Sequence, residues 1–180
     1  MRIMLRRFLA TTSVAALLTA AATGSAAPAL ATPTGGPLAV ICLGTEATLY
    51  NPGVVLLPRV NTFAGSGTYG PCLGLGAGPA SGTTTLSGTG TFSCLAGIAT
   101  GQQTLNWSDG TSSQISFTAL SVRPAGESVL IFSGTVTSGR YEGAAVTRAI
   151  QLLTSDITAC LTTGITELAG PTELAFTRLA

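Results

Sequence analysis

Between Thr83 and Cys94 the chain reads "TTTLSGTGTFSC", which alternates with a period of two. Leu86, Gly88, Gly90 and Phe92 fall on one face, and Thr85, Ser87, Thr89 and Thr91 on the other. Side chains alternate in this way along a β-strand, so this stretch predicts a strand with one packed face and one wet or small face. Thr, Val, Ile and Ser dominate the rest of the chain after residue 37, and no 3.6-residue apolar stripe persists for three helical turns. Strands are predicted at about 45 to 50, 58 to 70, 83 to 93, 100 to 107, 112 to 122, 127 to 137, 141 to 155 and 165 to 178. In "SSQISFTALSV" the apolar phase moves from Ile115, Phe117 and Ala119 to Leu120 and Val122, which predicts a bulge. In "GAAVTRAIQLL" one face carries Ala144, Val146, Arg148, Ile150 and Leu152, setting a guanidinium among apolar neighbours.

The breaks between these runs have turn chemistry. "YNPG" offers Pro52 and Gly53 for the first reversal, and Asp109-Gly110 in "WSDGTS" suits a tight hairpin that needs positive φ. "RPAGE" does the same around Pro124 and Gly126, and "GLGAGPASG" is a longer, flexible loop. In "SGRYEGA" Gly139 reads as a turn glycine, Tyr141 as an aromatic covering a barrel end, and Gly143 as a site of close strand approach. Eight antiparallel strands with short links and no helices describe an all-β single domain. A closed up-and-down barrel is favoured, because closure removes the edges that a Thr-rich chain would otherwise expose; a two-sheet β-sandwich is the alternative.

The first residues follow a different rule. Arg2, Arg6 and Arg7 precede an apolar run from Phe8 to about Ala22, followed by small residues, the three-part pattern of a secretory signal peptide. Ala29-Leu30-Ala31 is the best cleavage reading, giving a leader over 1–31, a flexible linker over 32–37 and one domain over 38–180. The apolar run is short for a span, so no transmembrane anchor is expected after processing. Of the eight basic residues, all arginine, three leave with the leader, so five face seven acids and the mature charge is about minus two. The remaining arginines are scattered singly, which argues against nucleic acid as a partner.

All four cysteines, Cys42, Cys72, Cys94 and Cys160, lie in the exported part, where an even number predicts disulfides. No CxxC pair and no histidine is present to complete a zinc site, so neither a metal nor any cofactor is expected. With strands alternating in direction, the start of the first and the end of the second share one pole, and the ends of the third and seventh share the other. Cys42 is therefore expected to pair with Cys72, and Cys94 with Cys160.

Without histidine or lysine, nucleophile schemes that rely on imidazole or on a Ser–Lys pair are excluded. Paired carboxylates could serve a glycosidase, but Glu46, Asp109, Glu127, Glu142, Asp156, Glu167 and Glu173 mostly fall at strand ends or turns, so an enzyme is not the favoured reading. Trp107 could stack on a sugar or other ring, or plug the core. Arg148 could anchor an anion or carbonyl inside a cavity, or pair with an acid such as Glu142. Trp107, Arg148 and Tyr141 are thus the candidate ligand-binding residues, for a small apolar or carbohydrate-like molecule. The alternative is a structural or adhesive cell-surface protein that uses an exposed Thr-rich face, and the partners to expect are a small molecule or cell-wall carbohydrate. A barrel enzyme of cyclase type is the third reading.

The segments "LYNPG", "GTGTFSC", "WSDGTSS", "SVRPAGE", "GTVTSGRYEGA" and "ACLTTGITELAGPTEL" resemble a recurrent kind of small secreted actinobacterial all-β protein of unknown function. That resemblance implies secretion and an all-β fold and assigns no catalytic residue. Gly134 to Ala144 is more distantly similar to the glycine-rich reversal of allene oxide cyclase and dirigent barrels, which implies a barrel. Val136-Thr137 interrupts the glycine run of that signature.

Overall fold

The computed structural model describes residues 36–122, 128–152 and 157–179. The expected leader, most of the linker and the "RPAGE" turn lie outside the described residues. Eight strands follow one another: β1 (Leu38–Val54), β2 (Arg59–Leu75), β3 (Gly82–Phe92), β4 (Ala96–Trp107), β5 (Ser112–Val122), β6 (Ser128–Gly139), β7 (Ala145–Leu152) and β8 (Ile165–Arg178). Each pairs antiparallel with its neighbours, and β8 returns to pair with β1, closing the barrel. The sheet therefore has no free edge, the hazard that a long Thr-rich strand would otherwise carry.

Burial alternates as the sequence pattern requires. Along β3, Leu86 and Phe92 are buried and Thr83, Thr85, Ser87, Thr89 and Thr91 are exposed. The inward glycines make room for rings. A Cβ on Gly88 would meet the Phe63 ring at 2.5 Å, and one on Gly101 would meet the Phe117 ring at 2.6 Å. Large side chains from one strand thus lie over glycines of another, which is how a barrel of this size can be filled.

Several expectations are corrected. β1 is much longer than residues 45 to 50, and "YNPG" lies within it; residues 55–58 make the first reversal. Pro52 has no N–H to donate, and it falls where the β1–β8 register shifts between Leu49 and Val54. β5 has no bulge at Ala119–Leu120: its pairing with β4 runs unbroken, and Leu120 and Val122 simply face outward. The β5–β6 register shift lies instead between Gln114 and Ile115. β7 begins at Ala145, because residues 140–144 are taken up by the turn from β6. Gly143 belongs to that turn, with φ 78°, and is not a strand position. A short 3₁₀ turn, Ile157–Leu161, precedes β8 and carries Cys160, so that cysteine is not on a strand.

Both disulfides join the expected partners. Cys42 and Cys72 face each other directly across β1 and β2, with Cα atoms 4.0 Å apart. Cys94, in the β3–β4 link, reaches Cys160 across 6.1 Å between Cα atoms.

Candidate functional site

The inward residues form three layers along the barrel axis. One apolar layer contains Leu38, Cys42, Cys72, Leu105, Trp107 and Phe176; another contains Tyr50, Phe63, Phe92, Phe117, Phe132 and Cys160. In the sequence of almost every strand a small or polar inward position separates them. Examples are Glu46 between Cys42 and Tyr50, Gln103 between Ala99 and Leu105, and Arg148 between Val146 and Ile150.

Arg148 organises this middle layer. Its side chain is enclosed, as is that of Glu46, and Nη1 donates to Glu46 Oε2 at 2.6 Å and to Gln103 Oε1 at 3.3 Å. Gln103 Nε2 donates to Thr84 Oγ1 at 2.8 Å, and Thr84 Oγ1 donates to the Thr104 carbonyl at 3.0 Å. The Tyr69 hydroxyl donates to Glu46 Oε2 at 3.2 Å. Below the guanidinium lies the Phe132 ring, 3.5 Å from Cζ to its centroid, a desolvated cation–π contact. Burial pushes the Glu46 carboxyl above the usual carboxylate range, while Arg148 and the Tyr69 hydroxyl pull it back part of the way. Burial likewise raises the Tyr69 and Tyr50 phenols.

Arg148 therefore has Glu46 as its acid and not Glu142, the partner named as an example from sequence. Glu142 sits in the β6–β7 turn, where its carbonyl accepts from Arg178 at 2.9 Å. Sequence reasoning counted Glu46 only among acids that mostly fall at strand ends or turns, and missed Gln103, Thr84 and Tyr69. Alternation would have found Glu46, since counting by two from Cys42 through Gly44 reaches Glu46, Thr48 and Tyr50 on one face.

Trp107 is 4% exposed, and its Nε1 donates to Ser113 Oγ at 2.9 Å. Its ring meets those of Tyr141 and Phe176 at 5.6 and 5.8 Å between centroids. Tyr141 closes this end of the barrel, with φ 64° and a hydroxyl that accepts from the Gly78 N–H at 3.0 Å. Arg140 beside it pairs with Asp109 across the barrel rim. The Thr111 side chain and backbone N–H bonds, with help from Arg140, hold the Asp109 carboxyl below its usual range. Trp107 and Tyr141 are thus brought together at one pole, whereas Arg148 lies in the middle layer, away from them. Among the described residues, no three His, Cys, Asp or Glu side chains gather as a metal site would require.

Outside, the wall divides chemically. Along the middle of β2 to β6 the outward positions are mainly hydroxyl and amide side chains in cross-strand register, Thr85 opposite Thr104, Ser87 opposite Gln102 and Thr89 opposite Thr100, whereas Val60, Ile98, Leu120 and Ile131 near one end of these strands and Leu73 and Leu75 near the other are exposed and apolar. β5 continues the rows, with Thr118 opposite Thr100 and Ser116 opposite Gln102. Between Arg59 and Arg123 the only charged residue is Asp109, which lies in a turn. The wall over β7, β8 and β1 carries Ile41, Leu43, Leu49, Ala149 and Pro171 together with Glu167 and Glu173. No helix among the described residues is long and apolar enough to cross a membrane. In comparisons with family models, curated proteins and solved structures, the chain matches none of them.

Proposed function

We propose that the chain is exported and acts through its outer wall, the hydroxyl and amide face of β2–β6 lying against neutral cell-wall carbohydrate, with no catalytic step of its own. The observation that carries this reading is the contrast between an interior of buried side chains and the uncharged outer face of strands β2–β6. Nη1 of Arg148, the side chain best suited to anchor a ligand inside, is engaged by Glu46 and Gln103 while its Nε and Nη2 have no hydrogen-bond partner among the described residues, and Trp107 is engaged by Ser113, Tyr141 and Phe176. A soluble domain ordinarily carries about a quarter charged residues, whereas this chain has 8%. A wall kept free of charge but rich in donors and acceptors suits a ligand that is itself neutral and hydroxylated. The two disulfides agree with an oxidising, extracellular setting.

Co-sedimentation of the oxidised protein with insoluble cell-wall polysaccharide, chitin and cellulose tests this. The protein is expected to leave solution with at least one of them, and to do so equally at low salt and at about 1 M salt, since no ion pair is involved. Introducing charge by Thr85→Lys with Thr100→Lys should weaken retention about tenfold or more, by leaving two ammonium groups to be desolvated. Glu173→Gln on the other wall should change nothing. Retention by none of the three solids, or retention indifferent to the paired threonine variants, would overturn the reading.

A further inference from the structure

The middle layer sets a hydroxyl against a carboxamide in the enclosed interior of the barrel. Thr84 on β3 and Gln103 on β4 are diagonal neighbours, since Thr84 pairs with Leu105 and Gln103 with Leu86. Each is 2% exposed, and Gln103 Nε2 lies 2.8 Å from Thr84 Oγ1, with the electrophilic Cδ one bond beyond. The amide's orientation is fixed chemically: Arg148 offers only donors, so the atom facing Nη1 must be Oε1.

We propose that Thr84 and Gln103 become joined by an intramolecular ester, Thr84 Oγ1 replacing Nε2 on Gln103 Cδ with release of ammonia. In that step the Oγ1–Cδ bond forms and the Cδ–Nε2 bond breaks. The hydroxyl proton, which rotates freely about Cβ–Oγ1, turns from the Thr104 carbonyl and leaves with Nε2 as ammonia. Negative charge that builds on Oε1 during attack meets the Arg148 Nη1 already hydrogen-bonded to it, a preorganised donor in a buried site. Glu46 acts as a positioning residue, holding Nη1 in place from the other side at 2.6 Å. Proximity replaces a bimolecular encounter, and the enclosed layer keeps out the water that would hydrolyse an ester. The ammonia escapes to bulk as ammonium and does not return. This inference does not depend on what the outer wall binds.

Mass spectrometry decides it. Trypsin acting on the reduced and alkylated protein releases residues 60–140 as one fragment, because the chain has no Lys and the Arg123–Pro124 bond resists trypsin, which leaves Arg59 and Arg140 as the flanking cleavage sites. The ester makes that fragment lighter by about 17 Da, one ammonia. Chymotrypsin is expected to leave the pieces bearing Thr84 and Gln103 attached to each other, and hydroxylamine to separate them. Thr84→Val should restore the full mass, and Thr84→Ser, which keeps the nucleophile, should again show the loss. The proposal is overturned by a full-mass fragment after days of incubation of folded protein at neutral pH, or by a loss of mass without joined pieces, as a succinimide at Asn61 or Asn106 would give.

Discussion

Arg148 and Glu46 are 102 residues apart in sequence and meet at 2.6 Å in the barrel's middle layer. Taking two ions out of water costs several kcal/mol each, and the pair is offset by mutual attraction and by hydrogen bonds to Gln103 and Tyr69. The two partners answer pH differently. The Glu46 carboxyl has its folded pKa raised by burial, so its protonation favours the fold. That contribution is full below the unfolded value, about 4.3, and is lost as pH rises through the folded one. A guanidinium has no such escape. Arg148→Met should therefore cost roughly 3–5 kcal/mol above the folded pKa of Glu46, where it strands a carboxylate, and much less below it, where the carboxyl takes up a proton. Denaturant melts at mildly acidic and at neutral pH check this, and a loss independent of pH would contradict it. The sequence made Arg148 conspicuous because an arginine stands out on an apolar face. Glu46 stayed hidden because β1 was read as too short to have a periodicity worth counting.

At the scale of strands and links, legibility followed backbone chemistry. β3, β5 and β8 were placed within a residue or so, β3 because its Thr-rich alternation has one physical reading. "YNPG" misled because Pro52 and Gly53 have the composition of a turn, yet here they interrupt the β1–β8 ladder while β1 continues to Val54. Tyr141 was recognised as an end cover, but its φ of 64° has no signal in the sequence, since an aromatic rarely adopts the left-handed region. The cysteine pairing was legible because antiparallel order puts link residues at alternate poles. The two bridges are not equivalent. Cys42–Cys72 closes 30 residues between strands already paired, and Cys94–Cys160 closes 66 and fastens the 3₁₀ turn to the β3–β4 link. Chain entropy gives about 3.6 and about 4.3 kcal/mol respectively. Replacing Cys94 and Cys160 together by serine should accordingly lower the thermal midpoint more than replacing Cys42 and Cys72. Calorimetry on both double variants checks this, and the reverse order would count against it.

For the molecule as a whole, an apolar–polar–apolar interior lies within a wall whose β2–β6 strands carry no charged residue beyond Arg59 at the start of β2, and the proposed function rests on that wall. The alternation that revealed the barrel also revealed the wall, since every second residue of β3 is Ser or Thr facing solvent. It could not reveal that β1 meets β8, because closure depends on contacts between the two ends of the domain, and local pattern contains none of that information. Closure also decides between a barrel and a sandwich. Hydrogen exchange at the β1 and β8 amides, followed by NMR on the oxidised protein, is therefore the most direct measurement. In a closed barrel the amides between Gly44 and Leu49, where β1 pairs without interruption with β2 on one side and with β8 on the other, are all protected, and the slowest exchange only by global unfolding. If alternate amides along β1, those directed toward β8, exchange within minutes while those directed toward β2 stay protected, then β1 is an edge and the closed barrel is contradicted.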